Sequence, residues 1–177
     1  HPADSDTNIY LVEDYEDINK LEINSSEIAY VTQTTLSVDE TKGLIEALQV
    51  KYPQIIGPSA DDICYATQNR QDAVKQLSLE CEIVLVIGSK TSSNSNRLKE
   101  LAEKCGTKSF LIDDKSDINI EELKHATSVG ITAGASAPEE IVQEVISFLF
   151  PLGYKTVRNL SENNESMTFK LPKELAD

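Results

Sequence analysis

The sequence has few of the residues on which several common functions depend. It contains three cysteines and two histidines among 177 residues, and the spacing Cys-x-x-Cys does not occur. An odd number of cysteines argues against a closed disulfide framework, and without Cys-x-x-Cys a zinc site is unsupported. Two histidines are too few to argue for a Ser-His-Asp or Cys-His catalytic pair. Because the cysteines do not indicate a disulfide framework, we expect a protein of a reducing, cytoplasmic compartment.

Positive charge is also scarce. Lys and Arg total 16 against 30 Asp and Glu, so the formal charge is −14 and the isoelectric point is near 4.5. Nucleic-acid binding needs clustered Lys and Arg, and an anionic membrane surface repels a protein of this charge. The longest apolar runs are much shorter than a membrane-spanning helix. We therefore expect neither a nucleic-acid nor a membrane partner.

The chain is organised around the segment 83–97, which has the sequence IVLVIGSKTSSNSNR. Residues 83–87 form an apolar run in which all but one side chain is β-branched, as is typical of a strand buried on both faces of a parallel sheet. A hydroxyl-rich turn follows and opens a helix expected at 97–105. Ligands of open α/β sheets lie outside the carboxyl ends of the strands, where a helix N-terminus offers free N–H groups to an anion. The four polar residues 91–94 favour a phosphate site over a simple helix cap.

Strands alternate with helices along the chain, which predicts an α/β protein with parallel sheets. We divide it into two similar units, each a parallel sheet flanked by helices, at 1–58 and 59–150, followed by a C-terminal arm at 151–177. Ser37 and Glu40 form a capping box that starts one helix. The expected strands are 8–12, 28–31, 55–56, 83–87, 110–112 and 128–132, with a terminal hairpin at 155–160 and 166–171. The expected helices are 13–21, 38–52, 67–79, 97–105, 120–123 and 138–150.

Three of the predicted strand ends share one design. Each strand is followed by hydroxyl or amide side chains and then by a helix, at 32–37, 88–94 and 132–136. One such turn is explained by a helix cap. Three of them at the same edge of a sheet predict a common anion pocket.

The cysteines differ in their expected roles. Cys64 comes just before a predicted helix N-terminus, which stabilises a thiolate, so it is a candidate nucleophile or metal ligand. Cys81 and Cys105 are expected to be small buried apolar residues. Asp61 and Asp62 are either metal ligands or acids that complement the same helix N-terminus.

Four segments, in this order, carry a resemblance to a known family: YVTQTTLSVD at 30–39, DDICYAT with NRQ at 61–71, GSK with SSNSNRL at 88–98, and GITAGASAP at 130–138. They closely resemble the 4-hydroxy-3-methylbut-2-enyl diphosphate reductases, the last enzymes of the non-mevalonate isoprenoid pathway. The resemblance extends over about residues 10–175 and is strongest to the bacterial form.

The resemblance implies an oxidoreductase with three similar α/β units around a 4Fe-4S cluster that is held by three cysteines. The family removes the hydroxyl group of an allylic diphosphate as water, and the products are isopentenyl and dimethylallyl diphosphates. Cys64 resembles the third cluster ligand, and Thr34 resembles the threonine near the substrate hydroxyl and its proton relay. The residues that resemble diphosphate ligands are Ser92, Ser93, Asn94 and Ser136. The implied electron donor is ferredoxin or flavodoxin.

The sequence departs from the family because its first unit is absent, and with it two cluster cysteines, the substrate-binding histidines and a glutamate proton donor. We expect the 177-residue chain to be the carboxyl-terminal portion of such a reductase and to be inactive alone. Two alternatives stay open. One is a non-catalytic phosphate-binding module without a cluster, and the other is a structural fragment whose pockets lack the walls of the missing unit.

Overall fold

The computed structural model describes residues 8–58 and 65–160. Within these ranges, the central feature is a three-stranded sheet formed by β1 (Ile83–Ile87), β2 (Lys108–Ile112) and β3 (Val129–Ala133). All pairs are parallel, and the strand order is β2-β1-β3. The sheet confirms the predicted α/β class. Every residue of β1 is buried, as predicted from its unbroken apolar sequence.

Helices cover both faces of this sheet. On one face lie α3 (Tyr65–Glu80) and α4 (Ser93–Lys104), and on the other lie α5 (Ile120–Leu123) and α6 (Glu139–Leu149). Because side chains alternate along a strand, β1 contributes to two separate cores. Val84 and Val86 pack with α3 and α4, whereas Ile83, Leu85 and Ile87 pack with α5 and α6.

Residues 8–58 contain two helices, α1 (Tyr15–Lys20) and α2 (Val38–Lys51). They enclose a third, smaller core of five buried side chains: Ile18, Leu21, Ile28, Leu48 and Tyr52. The hydroxyl of Tyr52 donates a hydrogen bond of 2.8 Å to the Leu21 carbonyl, which joins the end of α2 to the end of α1. The predicted cap is present, because the Ser37 hydroxyl accepts from the Glu40 amide.

Several expected strands are not formed. No strand is present at 8–12, where Ile9 and Leu11 are 93% and 79% exposed. The strands expected at 28–31 and 55–56 are reduced to one parallel bridge between Ala29 and Ile56, and 155–160 has no regular structure. Apolar residues at strand spacing form a strand only when a neighbouring strand takes up their backbone hydrogen bonds.

The division of the chain into units at residue 58 stays a prediction. The predictions for Asp61, Asp62, Cys64 and 166–171 concern residues outside the described ranges.

Two helix starts also differ from the prediction. The helix expected from Arg97 begins four residues earlier at Ser93, because the hydroxyl of Ser92 caps it. Pro138, expected at the first helical position, has an extended ψ of 140° and precedes the first residue of α6, Glu139. No helix in the described part of the chain is both long and apolar enough to cross a membrane.

We predict that Leu85→Ala lowers the free energy of unfolding by about 3 kcal/mol, because it leaves a cavity at the centre of the sheet. Chemical denaturation followed by circular dichroism measures the change. The matched control is Leu79→Ala on α3, where the side chain is 87% exposed and the expected change is within about 0.5 kcal/mol. Equal losses in the two variants would contradict the assignment of β1 to the core.

Candidate functional site

The carboxyl ends of the strands meet the start of α4 at very close range. The Gly134 amide donates a hydrogen bond of 2.8 Å to the Ile87 carbonyl, which joins the turn after β3 to the end of β1. Ser95, in the first turn of α4, is fully buried between Gly88 and Gly134. A Cβ atom at Gly88 or Gly134 would lie only 2.2 or 2.3 Å from the Ser95 hydroxyl oxygen. The two glycines therefore allow α4 to approach the sheet edge.

The hydroxyl-rich turn after β1 forms the cap and the first residues of α4. The Ser92 hydroxyl accepts hydrogen bonds from the Ser95 amide at 3.3 Å and from the Ser95 hydroxyl at 3.1 Å. Ser92 is thus a helix cap, as the simpler interpretation of this turn predicts. Ser93 and Asn94 are the first two helical residues, and amides at these positions have no acceptor within the helix.

Asn94 is the unusual residue of this turn. The residue is 8% exposed, yet neither its side-chain nitrogen nor its side-chain oxygen has a hydrogen-bond partner within residues 8–58 and 65–160. Leaving a buried polar group unpaired costs about 1–3 kcal/mol, so such a group requires an explanation. A ligand that hydrogen-bonds to the amide provides one.

The charge around the start of α4 suits an anion. Acidic residues occupy the first turns of α1, α2, α5 and α6, as the helix dipole favours. The first turn of α4 contains none, although the chain as a whole is strongly acidic. The positive end of this helix dipole is therefore not neutralised by a side chain of its own first turn.

The threonine turn at 32–37 lies beside this helix start. Thr34 and Thr35 are the central residues of a turn closed by a hydrogen bond of 3.3 Å from the Leu36 amide to the Gln33 carbonyl. The Thr35 and Ser93 hydroxyl oxygens are 3.1 Å apart and share a hydrogen bond. Thr34 itself is exposed. Residues 58 positions apart in the sequence are thus in direct contact.

The third turn contains Ser136, which is exposed just before α6. It is closed by a hydrogen bond of 3.0 Å from the Ala137 amide to the Gly134 carbonyl. Arg70 of α3 donates from Nε to the Ala133 carbonyl at 3.2 Å, directly at the end of β3. The three predicted turns therefore adjoin one another, through Thr35 with Ser93 and through Ile87 with Gly134.

Sequence reasoning assigned no role to Arg70 or Gln71. Both lie in the motif NRQ, which was used only for the family resemblance. Arg70 brings a positive charge to the end of β3, and Gln71 is buried between α3 and the start of α2. A polar residue next to an arginine in a helix gives no sequence signal of such long-range contacts.

The described residues do not fit an iron–sulfur cluster. They contain no group of three or more His, Cys, Asp or Glu side chains that could hold a metal ion. Burial raises the pKa of the Cys81 thiol, which disfavours the thiolate that binds iron. Cys81 follows the C-terminal end of α3, whose 16 residues span about 24 Å, so it lies far from Tyr65 at the start of that helix. Cys105 follows the C-terminal end of α4, the end opposite the polar turns.

The fold and the geometry define the class of the protein: an α/β protein in which polar turns gather at the carboxyl ends of the strands. The sequence profile of the family described as "LytB protein" matches residues 3–150. The chain belongs to this family.

Its similarity to individual proteins supports the same family. The chain is 55% identical over 168 residues to the 4-hydroxy-3-methylbut-2-enyl diphosphate reductase of Saccharophagus degradans, covering 94% of this chain and 54% of that protein. It is equally identical over 170 residues to the reductase of the same name from Chromohalobacter salexigens, covering 96% of this chain and 54% of that protein. The structure of E-1-hydroxy-2-methyl-but-2-enyl-4-diphosphate reductase from Plasmodium falciparum matches with a TM-score of 0.84 and 32% identity, over 93% of this chain and 53% of that one. The chain spans about half the length of the curated relatives it matches.

We predict that Asn94→Leu raises the free energy of unfolding by about 1–2 kcal/mol, because it replaces an unpaired buried amide by an apolar group of similar branching. The matched control is Asn96→Leu in the same helix. The Asn96 amide donates to the Lys90 and Ser92 carbonyls, both at 2.8 Å, so its loss is expected to lower stability by about 1–2 kcal/mol. Urea denaturation of both variants without ligand measures whether each substitution raises or lowers the free energy of unfolding. Destabilisation of similar size in both would show that the Asn94 amide is satisfied.

Proposed function

We propose that the chain forms the diphosphate-binding part of a 4-hydroxy-3-methylbut-2-enyl diphosphate reductase. The complete reaction removes the hydroxyl group of the allylic diphosphate by reduction and yields isopentenyl and dimethylallyl diphosphates. The observation that carries the proposal is the buried, unpaired amide of Asn94 at the start of α4, in a chain of this family. The names of the relatives support the substrate.

The hydrogen bonds of the turns suggest how a diphosphate is held. The Ser95 hydroxyl donates to Ser92, so the Ser92 hydroxyl keeps its own proton for an anion while its oxygen still caps the helix. A second hydroxyl comes from Ser93, an amide from Asn94 and a third hydroxyl from Ser136. Phosphate oxygens are acceptors only, and the free N–H groups and dipole of a helix N-terminus favour them. We assign these four residues to the diphosphate and Thr34 to the substrate hydroxyl.

The reductive chemistry is proposed for the complete enzyme and not for this chain alone. An iron–sulfur cluster delivers single electrons when it is bound, but the residues that the structure describes do not fit one. With Cys64 as one ligand, the remaining ligands must come from outside this chain. We propose ferredoxin or flavodoxin as the electron donor. Such donors are commonly acidic, and the charge of −14 disfavours docking to this part of the enzyme.

A second function has a specific observation in its favour. Anion donors are brought together within the described residues, whereas a metal-binding cluster is not found among them. The chain alone is therefore also a candidate for a phosphate-binding module without redox activity. The two functions differ in iron content but share the anion site.

We predict that inorganic pyrophosphate binds to the 177-residue chain and that Asn94→Asp weakens binding at least about tenfold, because it places a negative charge against the anion. Isothermal titration calorimetry measures both affinities. The control is Asn119→Asp, which introduces the same charge at the cap of α5 and is expected to change little. Equal weakening by both substitutions would indicate a general charge effect and no site at Asn94.

We also predict that anaerobic reconstitution with iron and sulfide loads no stoichiometric cluster on the isolated chain, because one thiolate, that of Cys64, is too few to hold a four-iron cluster. Iron per chain, absorption and EPR spectra provide the measurement. Turnover with a chemical reductant is expected to be absent. A stoichiometric cluster that is lost in Cys64→Ala would contradict this prediction, whereas iron that persists in Cys64→Ala would be adventitious.

A further inference from the structure

Gln71 of α3 is a buried polar residue with two long-range hydrogen bonds, and only 3% of it is exposed. Its side-chain nitrogen donates to the Leu36 carbonyl at 2.9 Å. Its side-chain oxygen accepts from the Val38 amide at 3.1 Å. The side chain therefore contacts the backbone on both sides of Ser37, the cap of α2.

This contact fixes the threonine turn relative to α3. Leu36 closes the turn that carries Thr34 and Thr35, and Val38 is the first residue of α2. The Val38 amide has no acceptor within its own helix, so Gln71 satisfies a group that would otherwise be unpaired. Both polar ends of the Gln71 amide are used, which defines its orientation.

Two further contacts show that α3 is held on both sides of the anion site. Arg70, the preceding residue, donates to Ala133 at the end of β3, just before the turn of Ser136. An ion pair of 2.8 Å joins Lys75 of α3 to Asp39 of α2. The hydrogen bond to the Asp39 carboxylate raises the pKa of Lys75. The Lys75–Asp39 pair is largely exposed, and pairs of this kind stabilise little, so the buried Gln71 contact is the more specific link.

We propose that Gln71 is a positioning residue of α3 that places the Thr34–Thr35 turn against the start of α4, while Arg70 links α3 to the end of β3. This inference rests on the proposed function, because the turns matter as parts of the diphosphate site. Gln71 acts through Thr35, whose hydroxyl is in contact with Ser93.

The test compares Gln71→Met with the wild-type 177-residue chain. Methionine keeps the unbranched shape but has no strong donor or acceptor. Amide hydrogen exchange by NMR is expected to show about tenfold faster exchange at Val38, equivalent to one hydrogen bond. Amides of β1 serve as folding reporters and are expected to be unchanged. The matched control is Gln49→Met at an exposed position of α2, which leaves Val38 exchange unchanged.

The second measurement is the affinity for inorganic pyrophosphate. Gln71→Met is expected to weaken binding by about five- to tenfold, and Thr35→Val by a similar factor. Because Gln71 acts through Thr35, the double variant Gln71→Met with Thr35→Val is expected to bind pyrophosphate as tightly as the single variant with the lower affinity. Independent, multiplying effects would overturn the proposal, since they would mean that Gln71 does not act through Thr35.

A third variant keeps the test decisive if Gln71→Met does not fold. Gln71→Glu retains the acceptor for the Val38 amide but, when ionised, loses the donor to Leu36. Slow exchange at Val38 together with weakened pyrophosphate binding supports the proposal. Unchanged Val38 exchange in Gln71→Met, or unchanged affinity in both variants, overturns it. If the wild-type chain itself does not bind pyrophosphate, the proposed function fails, whereas the exchange at Val38 still decides whether Gln71 holds the turn.

Discussion

The close approach of α4 to the edge of the sheet is the constraint on which the rest of the site depends. Ser95 occupies the space that side chains at Gly88 and Gly134 would fill, so these two positions have to be glycines. The approach places the amides of Ser93 and Asn94 at the carboxyl end of the central strand. There the helix dipole and the free amides point toward the place where ligands of α/β proteins bind. A methyl group at either glycine would collide with the Ser95 hydroxyl oxygen, and at Gly88 also with the Ser95 Cβ atom at 2.9 Å, so that Ser95 would have to move.

The same approach explains an unfavourable feature of the fold. Packing α4 against the strand ends buries Asn94 and leaves its amide without a partner. Nearby groups are satisfied, because Ser92 caps the helix and Asn96 donates to two carbonyls. Among the described residues at this helix start, the unpaired atoms are therefore confined to the Asn94 side chain, and the proposed binding site would accept this loss of stability in favour of function. A ligand that pairs with this amide would recover the stability lost.

Elements with local signals were predicted well from the sequence. The buried strand 83–87 and the helix 120–123 have the expected bounds, and Ser37 caps α2. Elements that depend on distant partners were not predicted well. The expected strand at 8–12 is absent, because no alternation pattern guarantees a neighbouring strand. The proximity of the turns after β1 and β3 followed from a general rule of parallel sheets. The turn at 32–37 follows no strand of this sheet, and its contact with Ser93 through Thr35 depends on long-range packing that no short-range pattern encodes.

The division between anion binding and redox chemistry has a physical basis. A diphosphate site needs several hydrogen-bond donors, which one helix start and two adjacent turns can provide. Neutral donors suffice because the repulsion from acidic side chains more than about 10 Å away on the surface is largely screened. The acidic surface of the chain is therefore compatible with the proposed anion binding at α4, and Arg70 places a positive charge at the end of β3. A cluster instead needs several thiolates that converge on one point. Within the described residues, Cys81 follows the C-terminal end of α3 and Cys105 follows that of α4, so their thiols do not converge on the polar turns. The proposed anion binding therefore depends only on turns that the structure describes, whereas the proposed electron transfer needs cluster ligands that these residues do not provide.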